Sequence, residues 1–295
     1  MRSVLKWITI LIGALIGLAL LALVSIYYIT ESKLNQTYEF NVDEVVIPTD
    51  QASIERGRHL VTTMGFCTEC HVANFSGQVW DDGPLVGKLA VNNLTRGQGG
   101  VGSTFTDADW VRALRHGVGQ DGKSLIIMPS NLYNGISDAD LGAIIAYLKQ
   151  IPAVDNQLPE TTIGPMARMF ILQDPSMLPA QVIDHDKPRP PDPEPGVTAA
   201  YGEYLATVCI ICHGENLAGE AGAGGGLNLT PAGDLGEWTE EEFINTMRSG
   251  NTPEGETLDE EIMPWRSLGQ MTDDELKAIW LYLQTIPPVE TVEGN

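Results

Sequence analysis

The pattern Cys-x-x-Cys-His occurs twice in this chain, at residues 67–71 and again at residues 209–213. The two copies use all four cysteines of the 295-residue sequence. On a helical turn, side chains at positions i and i+3 share a face, and the residue at i+4 lies beside them. Each copy therefore predicts a short helical turn that presents two thiols and one imidazole together.

The pentapeptide belongs to a longer internal duplication. Four pairs of segments repeat in the same order, which indicates two copies of a module of about 90–105 residues. The matched segments are 57–71 with 202–213, 92–95 with 227–230, 105–117 with 238–250, and 126–154 with 261–289. We predict one domain over residues 51–155 and a second over residues 197–295.

Both modules read as helical. Thr106 and Thr239 are predicted to cap one helix of each copy, and Ser137 and Thr272 are predicted to cap the last one, because a carboxylate follows each of the latter pair three residues later. Apolar residues then recur at helical spacing as far as an Ile-Pro pair, where the proline ends the helix. Alternating strand patterns are nearly absent, so the predicted fold class is all-α with long loops.

The first thirty residues are unlike the rest. Residues 7–29 form a run of 23 residues without a charge. A helix of that length is about 34 Å long, enough to cross the roughly 30 Å hydrocarbon core of a membrane. Arg2 and Lys6 precede the run and favour a cytoplasmic N-terminus. We predict a transmembrane anchor over residues 1–30 and a juxtamembrane segment over 31–50. The protein would then be single-pass in the cytoplasmic membrane, with its domains on the periplasmic side. The alternative is a cleaved signal peptide, whose apolar region is usually shorter.

Covalent haem attachment uses every element of the pentapeptide. Two cysteine sulfurs add to the haem vinyl groups, and the histidine ligates the iron. We therefore predict two covalently bound haem c groups, one per module. A four-cysteine zinc site, a thioredoxin-like redox pair and simple disulfides are alternatives that give the histidines no role. The predicted attachment residues are Cys67, Cys70, Cys209 and Cys212, and the predicted iron ligands are His71 and His213.

The second axial ligand of each iron is predicted to be methionine. Met128-Pro129 and Met263-Pro264 occupy the same position in the two copies, just before the last helix. A buried methionine is more often a packing residue, but the duplicated Met-Pro step favours ligation. The methionines without a counterpart are predicted to pack in the core; they are Met64, Met247 and Met271.

Two histidines and two arginines outside the pentapeptides also have predicted roles. His59 and His116 are not repeated as histidine in the second copy, so both are predicted to be surface or loop residues. Arg115 and Arg248 are shared by the two copies, and we predict that they stabilise the haem propionates. Capping of a helix end is the alternative role for these arginines.

Each module resembles a class I cytochrome c, with the Cys-x-x-Cys-His motif first, then a methionine loop, then a C-terminal helix. The Asn-Leu-Thr, aromatic-Thr, Arg-x-Gly and Met-Pro steps further resemble the membrane-anchored multihaem cytochrome subunits of periplasmic alcohol, aldehyde and gluconate dehydrogenases. The resemblance covers residues 51–155 and 197–289. Those subunits commonly carry three modules, and this chain has two. The resemblance implies an electron-transfer subunit of a larger membrane complex, without catalytic residues of its own.

Charge and proline are unevenly distributed. Residues 197–295 contain 18 acidic and 3 basic side chains, within a total net charge of −22. This predicts a basic redox partner for the second domain and excludes nucleic acid as a partner. Residues 156–196 are predicted to be a proline-rich linker. Its apolar segment at 165–173 is predicted to pack against a module, or else to contact a partner or the membrane surface.

Two other functions fit two Cys-x-x-Cys-His motifs in a chain of this length. A diheme cytochrome c peroxidase needs one haem iron that can open a coordination position for peroxide. Both modules keep the methionine, which favours electron transfer instead. A haem-based sensor or a structural anchor subunit is the remaining alternative.

Overall fold

The structure is a computed structural model that describes residues 2–42, 44–219 and 226–291. Most of its regular structure is helical. The helices are α1 (Arg2–Leu34), α2 (Gln51–Thr62), α3 (Cys67–His71), α4 (Gly83–Val86), α5 (Asp107–His116), α6 (Ser130–Tyr133), α7 (Asp138–Leu148), α8 (Pro165–Gln173), α9 (Ala199–Ala206), α10 (Ile210–His213), α11 (Glu240–Ser249), α12 (Trp265–Leu268) and α13 (Asp273–Leu283). Single 3₁₀ turns cover Val101–Ser103, Pro175–Met177, Pro179–Gln181, Thr207–Cys209 and Asp234–Gly236.

The structure contains a small antiparallel sheet, which the all-α prediction did not include. Its strands are β1 (Gln78–Asp81), β2 (Gly87–Val91) and β3 (Thr162–Ile163), in the order β1-β2-β3. Gln78 lies opposite Val91, and the register runs to Asp81 opposite Lys88. Every residue of β2 is half-buried. The strand therefore lacks the alternation of apolar and polar residues by which a sequence reveals a strand.

The described residues form two compact units that interleave along the chain. The first unit contains residues 2–42, 76–134 and 155–186, with α1, the sheet, α4, α5, α6 and α8. The second contains residues 44–75, 135–154, 187–219 and 226–291, with α2, α3, α7 and α9 to α13. The domain boundaries inferred from the repeat stay a prediction.

Helix α1 is the one described helix that is long and apolar enough to cross a membrane, judged by length and composition. The proline-rich segment that follows the first repeat is folded over part of its length. Helix α8 packs against α1 and α4 in the first unit, and it buries Ala167 and Ile171. The contact with α4, which lies in the first repeat, confirms the prediction that residues 165–173 pack against a module.

The predicted helix starts are also confirmed. Thr106, Thr239 and Thr272 each accept a hydrogen bond from a backbone amide three residues later, and the carboxylate at that position bonds back to the cap residue. Ser137 caps α7 through the amide of Asp140. These interactions join residues only three apart, so the local sequence is enough to specify them.

Two helix pairs form the core of the second unit, α2 with α7 and α9 with α13. A glycine permits close approach in each pair. A Cβ atom on Gly57 would lie 1.9 Å from the carbonyl oxygen of Ala143, and one on Gly202 would lie 1.8 Å from that of Ala278. No side chain fits at either crossing, so the duplicated glycines set the helix separation.

The two helix pairs are joined by the Arg56 cluster, a group of half-buried polar side chains around two buried carboxylates. Arg56 on α2 donates to both carboxylate oxygens of Asp140 on α7, at 3.0 Å each. Its third contact is a 3.0 Å bond to Glu275 on α13. His59 on α2 bonds Glu275 at 2.7 Å, and the hydroxyl of Tyr204 on α9 donates to Asp140 at 2.8 Å.

The Arg56 cluster is nearly symmetric between the two repeats. His59 and Tyr204 occupy equivalent positions, as do Asp140 and Glu275. Each repeat therefore supplies a side chain that bonds the carboxylate beginning the last helix of the other repeat. His59 was predicted to be a surface or loop residue; it lies instead in a helix and is half-buried, because Glu275 of the second repeat bonds it.

The carboxyl of Glu275 is strongly acidic in this setting. Burial would raise its pKa, but hydrogen bonds from His59 and from the Thr272 amide, with the charges of His59 and Arg56, hold the pKa at about 2. Glu275 therefore stays ionised at neutral pH inside the cluster.

Candidate functional site

Both Cys-x-x-Cys-His motifs lie on helical turns, as predicted. The first forms α3, and the second runs from the 3₁₀ turn at Thr207–Cys209 into α10. Both histidines, His71 and His213, are buried. The residue after each histidine has a positive φ, 57° at Val72 and 78° at Gly214. The chain therefore reverses in a similar way after each motif.

The thiols of both motifs are reduced. The four cysteines, all within the described residues, form no disulfide. Burial raises the pKa of Cys67 and of Cys209 to about 12, so both stay protonated at neutral pH. Across residues 2–42, 44–219 and 226–291, no group of three or more acidic, histidine or cysteine residues is placed to hold a metal ion. The zinc alternative thus has no cluster of donors in the described structure.

His213 shows how the protein prepares an axial ligand. Its Nδ1 lies 2.6 Å from the carbonyl oxygen of Leu227, so Nδ1 carries the proton and donates it. Burial lowers the pKa of His213, against the opposing effect of the Leu227 bond, and keeps the imidazole neutral at neutral pH. The lone pair of Nε2 is then available to a metal. A fixed Nδ1 bond of this type orients most metal-ligating histidines.

The Asn-Leu-Thr step positions the loop that carries the Leu227 carbonyl. The side-chain oxygen of Asn228 accepts a 2.8 Å bond from the amide of Thr230, and its Nδ2 donates to the Val289 carbonyl at 2.7 Å. Val289 follows the last helix, α13, so the motif joins the histidine loop to the end of the module. The sequence shows that this motif repeats but does not indicate its role.

The same turn forms in the first copy. The side-chain oxygen of Asn93 accepts a 2.9 Å bond from the amide of Thr95, and both residues are fully buried. An asparagine that bonds the amide two residues on stabilises a tight turn without help from the rest of the fold. The repeat of Asn-Leu-Thr is therefore a sequence signal for the turn, but not for its contact with the histidine loop.

The two Met-Pro steps adopt the same conformation. Pro129 has φ −79° and ψ 50°, and Pro264 has φ −75° and ψ 56°. In each copy the amide two residues after the methionine donates to the methionine carbonyl, at 2.8 Å for Met128 and 2.6 Å for Met263. This inverse γ-turn directs the chain into α6 or α12. Both methionines are half-buried.

The placement of the predicted ligands differs between the copies. Cys209, Cys212, His213 and Met263 all belong to the second unit. In the first copy, the helix α3 with its cysteines and histidine belongs to the second unit, and Met128 belongs to the first.

The Cytochrome c family model matches residues 54–152 and 199–287, one match per repeat. The chain belongs to the cytochrome c family. Members of this family are electron-transfer proteins that bind haem c covalently through the pentapeptide found here twice. The donors described above fit that group, since each motif offers two thiols and one buried imidazole.

Several curated proteins are similar to this cytochrome over most of its length. It is 27% identical over 288 aligned residues to "Alcohol dehydrogenase (quinone), cytochrome c subunit" of Gluconacetobacter polyoxogenes, covering 83% of this chain and 58% of that protein. The protein of the same description from Komagataeibacter europaeus is also 27% identical, with the same coverage. The chain is 26% identical to "Fructose dehydrogenase cytochrome subunit" of Gluconobacter japonicus, covering 80% of this chain and 53% of that protein. The cytochrome thus spans between half and three fifths of the length of these relatives.

The two shared arginines of the cytochrome have different surroundings. Arg115 at the end of α5 is fully buried. Arg248 at the end of α11 is exposed, and its guanidinium bonds the Gly269 carbonyl and, at 2.7 Å, the carboxylate of Asp273. The propionate role of both arginines stays a prediction. A buried guanidinium keeps its charge and requires anionic or carbonyl acceptors around it.

Buried donors in the second repeat also fit a ligand with carboxylates. Within the described residues, the indole Nε1 of Trp265 and the hydroxyl of Thr246 are buried without a hydrogen-bond partner. The indole of Trp265 lies against Gly250, which ends α11, because a Cβ there would be 2.4 Å from its ring. A haem propionate is an acceptor that could satisfy such donors.

The structure also tests the predictions made for three methionines and for His116. Met64, Met247 and Met271 are buried, which confirms their predicted packing role. The prediction of a surface or loop position for His116 is wrong. His116 is fully buried, and its Nδ1 lies 3.0 Å from Nδ1 of His185, in the segment predicted to be a linker. That segment therefore contacts the end of α5 in the first unit.

Proposed function

We propose that this cytochrome carries two haem c groups and passes single electrons between a dehydrogenase-type redox partner and an acceptor. The observation that supports the proposal most directly is the buried His213, whose Nδ1 is held by the Leu227 carbonyl so that Nε2 is left for iron. A haem bound in this way supplies one-electron iron chemistry. The chain's own residues would attach it and orient it.

The attachment residues follow from the motifs. Cys67 and Cys70 with His71 would hold one haem, and Cys209 and Cys212 with His213 would hold the other. Met128 and Met263 would complete the two coordination shells, and both stand in the same rigid Met-Pro turn. With both ligands in place, neither iron would have a site for an external substrate, which is the chemical basis of an electron carrier rather than a peroxidase.

The first test counts and classifies the haems. We expect two haems per chain by the pyridine haemochrome assay, both retained after acid-acetone extraction. The ferric protein should show the weak long-wavelength band of methionine-ligated haem, and the reduced protein should not bind carbon monoxide. Met263→Ala and Met128→Ala should each remove about half of that band and create one carbon monoxide site. Met247→Ala, which removes a packing methionine, is the matched control. Carbon monoxide binding by the reduced unsubstituted protein would contradict the proposal and favour the peroxidase.

We propose further that α1 spans the cytoplasmic membrane once and places both haem modules on the periplasmic side. Its charge-free run of 23 residues supports this, as do the two basic residues before it. The intact mass of the purified protein separates an anchor from a cleaved signal peptide. We expect residues 7–29 to be retained and the protein to remain in the membrane after a carbonate wash. A soluble product that begins after residue 29 would refute the anchor.

The partner is proposed to be a dehydrogenase subunit with a basic docking surface. The relatives named above are cytochrome subunits of dehydrogenases, and the second repeat has 18 acidic against 3 basic side chains. Two of its three basic side chains already bond acidic neighbours, Arg248 with Asp273 and Arg266 with Glu260. Complementary charge speeds encounter and makes the rate depend on salt.

Affinity purification from mildly solubilised membranes should recover such a subunit, and salt should release it. Glu240 and Glu241 lie in the first turn of α11 and can be neutralised without touching Glu242, which belongs to the helix cap. Glu240→Gln with Glu241→Gln should weaken the salt dependence of partner binding. Asp107→Asn with Asp138→Asn, in first turns of the other repeat, is the matched control. Equal salt dependence in both double variants would refute docking through the second repeat.

A further inference from the structure

Helix α8 has one buried face and one exposed apolar face. Ala167 and Ile171 are buried, whereas Met166, Met169 and Phe170 are 42, 44 and 45% exposed. The exposed three occupy positions i, i+3 and i+4, so they form one continuous strip. We call Met166, Met169 and Phe170 the α8 face. Side chains of this size are seldom left exposed together on a folded surface unless they contact something.

The neighbouring helix α4 also exposes a large apolar side chain. Leu85 on α4 is exposed, and the backbone carbonyl of Leu85 packs so closely on Gly164 that a Cβ there would lie at 2.3 Å. Both helices of this packed pair therefore expose large apolar side chains.

Polar contacts hold α8 to the end of α1. Arg168 donates to the hydroxyl of Thr30 and to the carboxylate of Glu31, each at 2.9 Å. Its guanidinium also lies 4.4 Å from the ring centroid of Tyr27. The charge-free run of α1 ends at residue 29. The contacts of Arg168 thus place α8 at the level where the apolar part of α1 ends.

We propose that the α8 face inserts into the interface of the lipid bilayer beside α1. The proposal rests on the membrane-spanning role of α1 stated above. Three features favour lipid over a protein partner: α8 packs against the anchor helix α1, α8 carries no acidic side chain, and its one charge, Arg168, is neutralised by Glu31. Short amphipathic helices with large apolar residues occupy this interface, and tyrosines such as Tyr27 and Tyr28 are typical of it. The insertion would fix the tilt of the first unit on the membrane.

Spin labelling of the full-length holoprotein in phosphatidylcholine vesicles tests this contact. The native cysteines are held in thioethers by the proposed haem attachment, so Phe170→Cys or Met166→Cys supplies the reactive thiol. Val197→Cys is the matched control, because Val197 is 43% exposed but lies outside α8. Power saturation then compares collisions of each label with oxygen, which partitions into lipid, and with a water-soluble nickel chelate.

We expect the ratio of oxygen to nickel collisions to be several-fold higher at positions 170 and 166 than at position 197. Equal ratios at 170 and 197 would overturn the lipid contact. Shielding of position 170 from both reagents would also overturn it and would indicate contact with a second copy of the chain.

The same experiment distinguishes a failure of the proposed function from a failure of the lipid contact. Protein that does not float with the vesicles would refute the anchor, and the lipid contact with it. If the spin label reacts with the unsubstituted protein, its native cysteines are not held in thioethers and haem attachment is refuted. This background signal is the same in all variants, so the difference between positions 170 and 197 still tests the lipid contact.

Discussion

Replacing Arg56 by alanine should be one of the most damaging single changes outside the haem motifs. The guanidinium makes three charged hydrogen bonds of 3.0 Å, two to Asp140 and one to Glu275. Both carboxylates are buried, at 6 and 5% exposure. Alanine would leave them close to each other without the cation between them.

The loss of stability in Arg56→Ala depends on which hydrogen bonds the two carboxylates keep. Breaking a buried ion pair by removing one partner costs about 3–5 kcal/mol, because the other charge stays buried. Tyr204 still donates to Asp140 and His59 still bonds Glu275, which limits the loss. We therefore expect Arg56→Ala to lower the free energy of unfolding by about 3 kcal/mol, near the lower end of that range.

The assay is urea unfolding of the holoprotein followed by far-ultraviolet circular dichroism. Arg58→Ala is the matched control, because Arg58 lies on the same helix and forms an exposed ion pair with Glu55. Exposed pairs contribute about 0–1 kcal/mol. A further variant that combines Arg56→Ala with Asp140→Asn and Glu275→Gln should recover part of the loss, since it removes the stranded charges.

The reasoning is refuted if Arg56→Ala unfolds within about 1 kcal/mol of Arg58→Ala. Failure of the combined variant to recover any stability would show that packing of the Arg56 side chain, and not its charge, carries the effect.

Three other predictions follow from single sites. The pKa of Glu275 is lowered to about 2 in the folded protein, so its contribution to stability is complete above its ordinary pKa of 4.5 and is lost as the pH falls towards 2. Urea unfolding at several pH values should show that the parent protein loses stability more steeply in acid than Glu275→Gln does. Parallel curves of stability against pH would contradict this. Gly202→Ala places a Cβ 1.8 Å from the Ala278 carbonyl oxygen and should cost about 1–3 kcal/mol or more by the same assay, whereas Gly196→Ala, where nothing lies within 4 Å, should cost little. Arg115→Gln should lower the reduction potential of one haem, because a lost positive charge favours the ferric state, while the exposed Arg248→Gln should change it less; equal shifts in redox titration would count against the different roles.

The fold was predictable where the determining contacts are local. The helix caps at Thr106, Thr239 and Thr272 each involve residues three apart, so the sequence predicted where α5, α11 and α13 begin. The two-thiol turns of the haem motifs are equally local. Duplication added a second signal, because a feature present in both copies is unlikely to arise by chance.

Errors arose where distant segments cover a residue. His59 and His116 looked like surface histidines because neither repeats in the other copy. His59 is enclosed by Glu275, which lies 216 positions away, and His116 by His185, which lies 69 positions away. The sheet was missed because its strands are short and have no alternating burial.

The cytochrome c module, its duplication, the two Cys-x-x-Cys-His motifs and the apolar N-terminal helix could all be read from the sequence alone. Each of these depends on the order of residues within one short segment or on a comparison of two such segments. The folded chain was needed to show that the helix pairs of the two repeats meet in the Arg56 cluster and that Leu227 fixes the tautomer of His213. Those interactions depend on which backbone groups and charges a fold brings within about 3 Å of each other, and spacing along the chain does not contain that information.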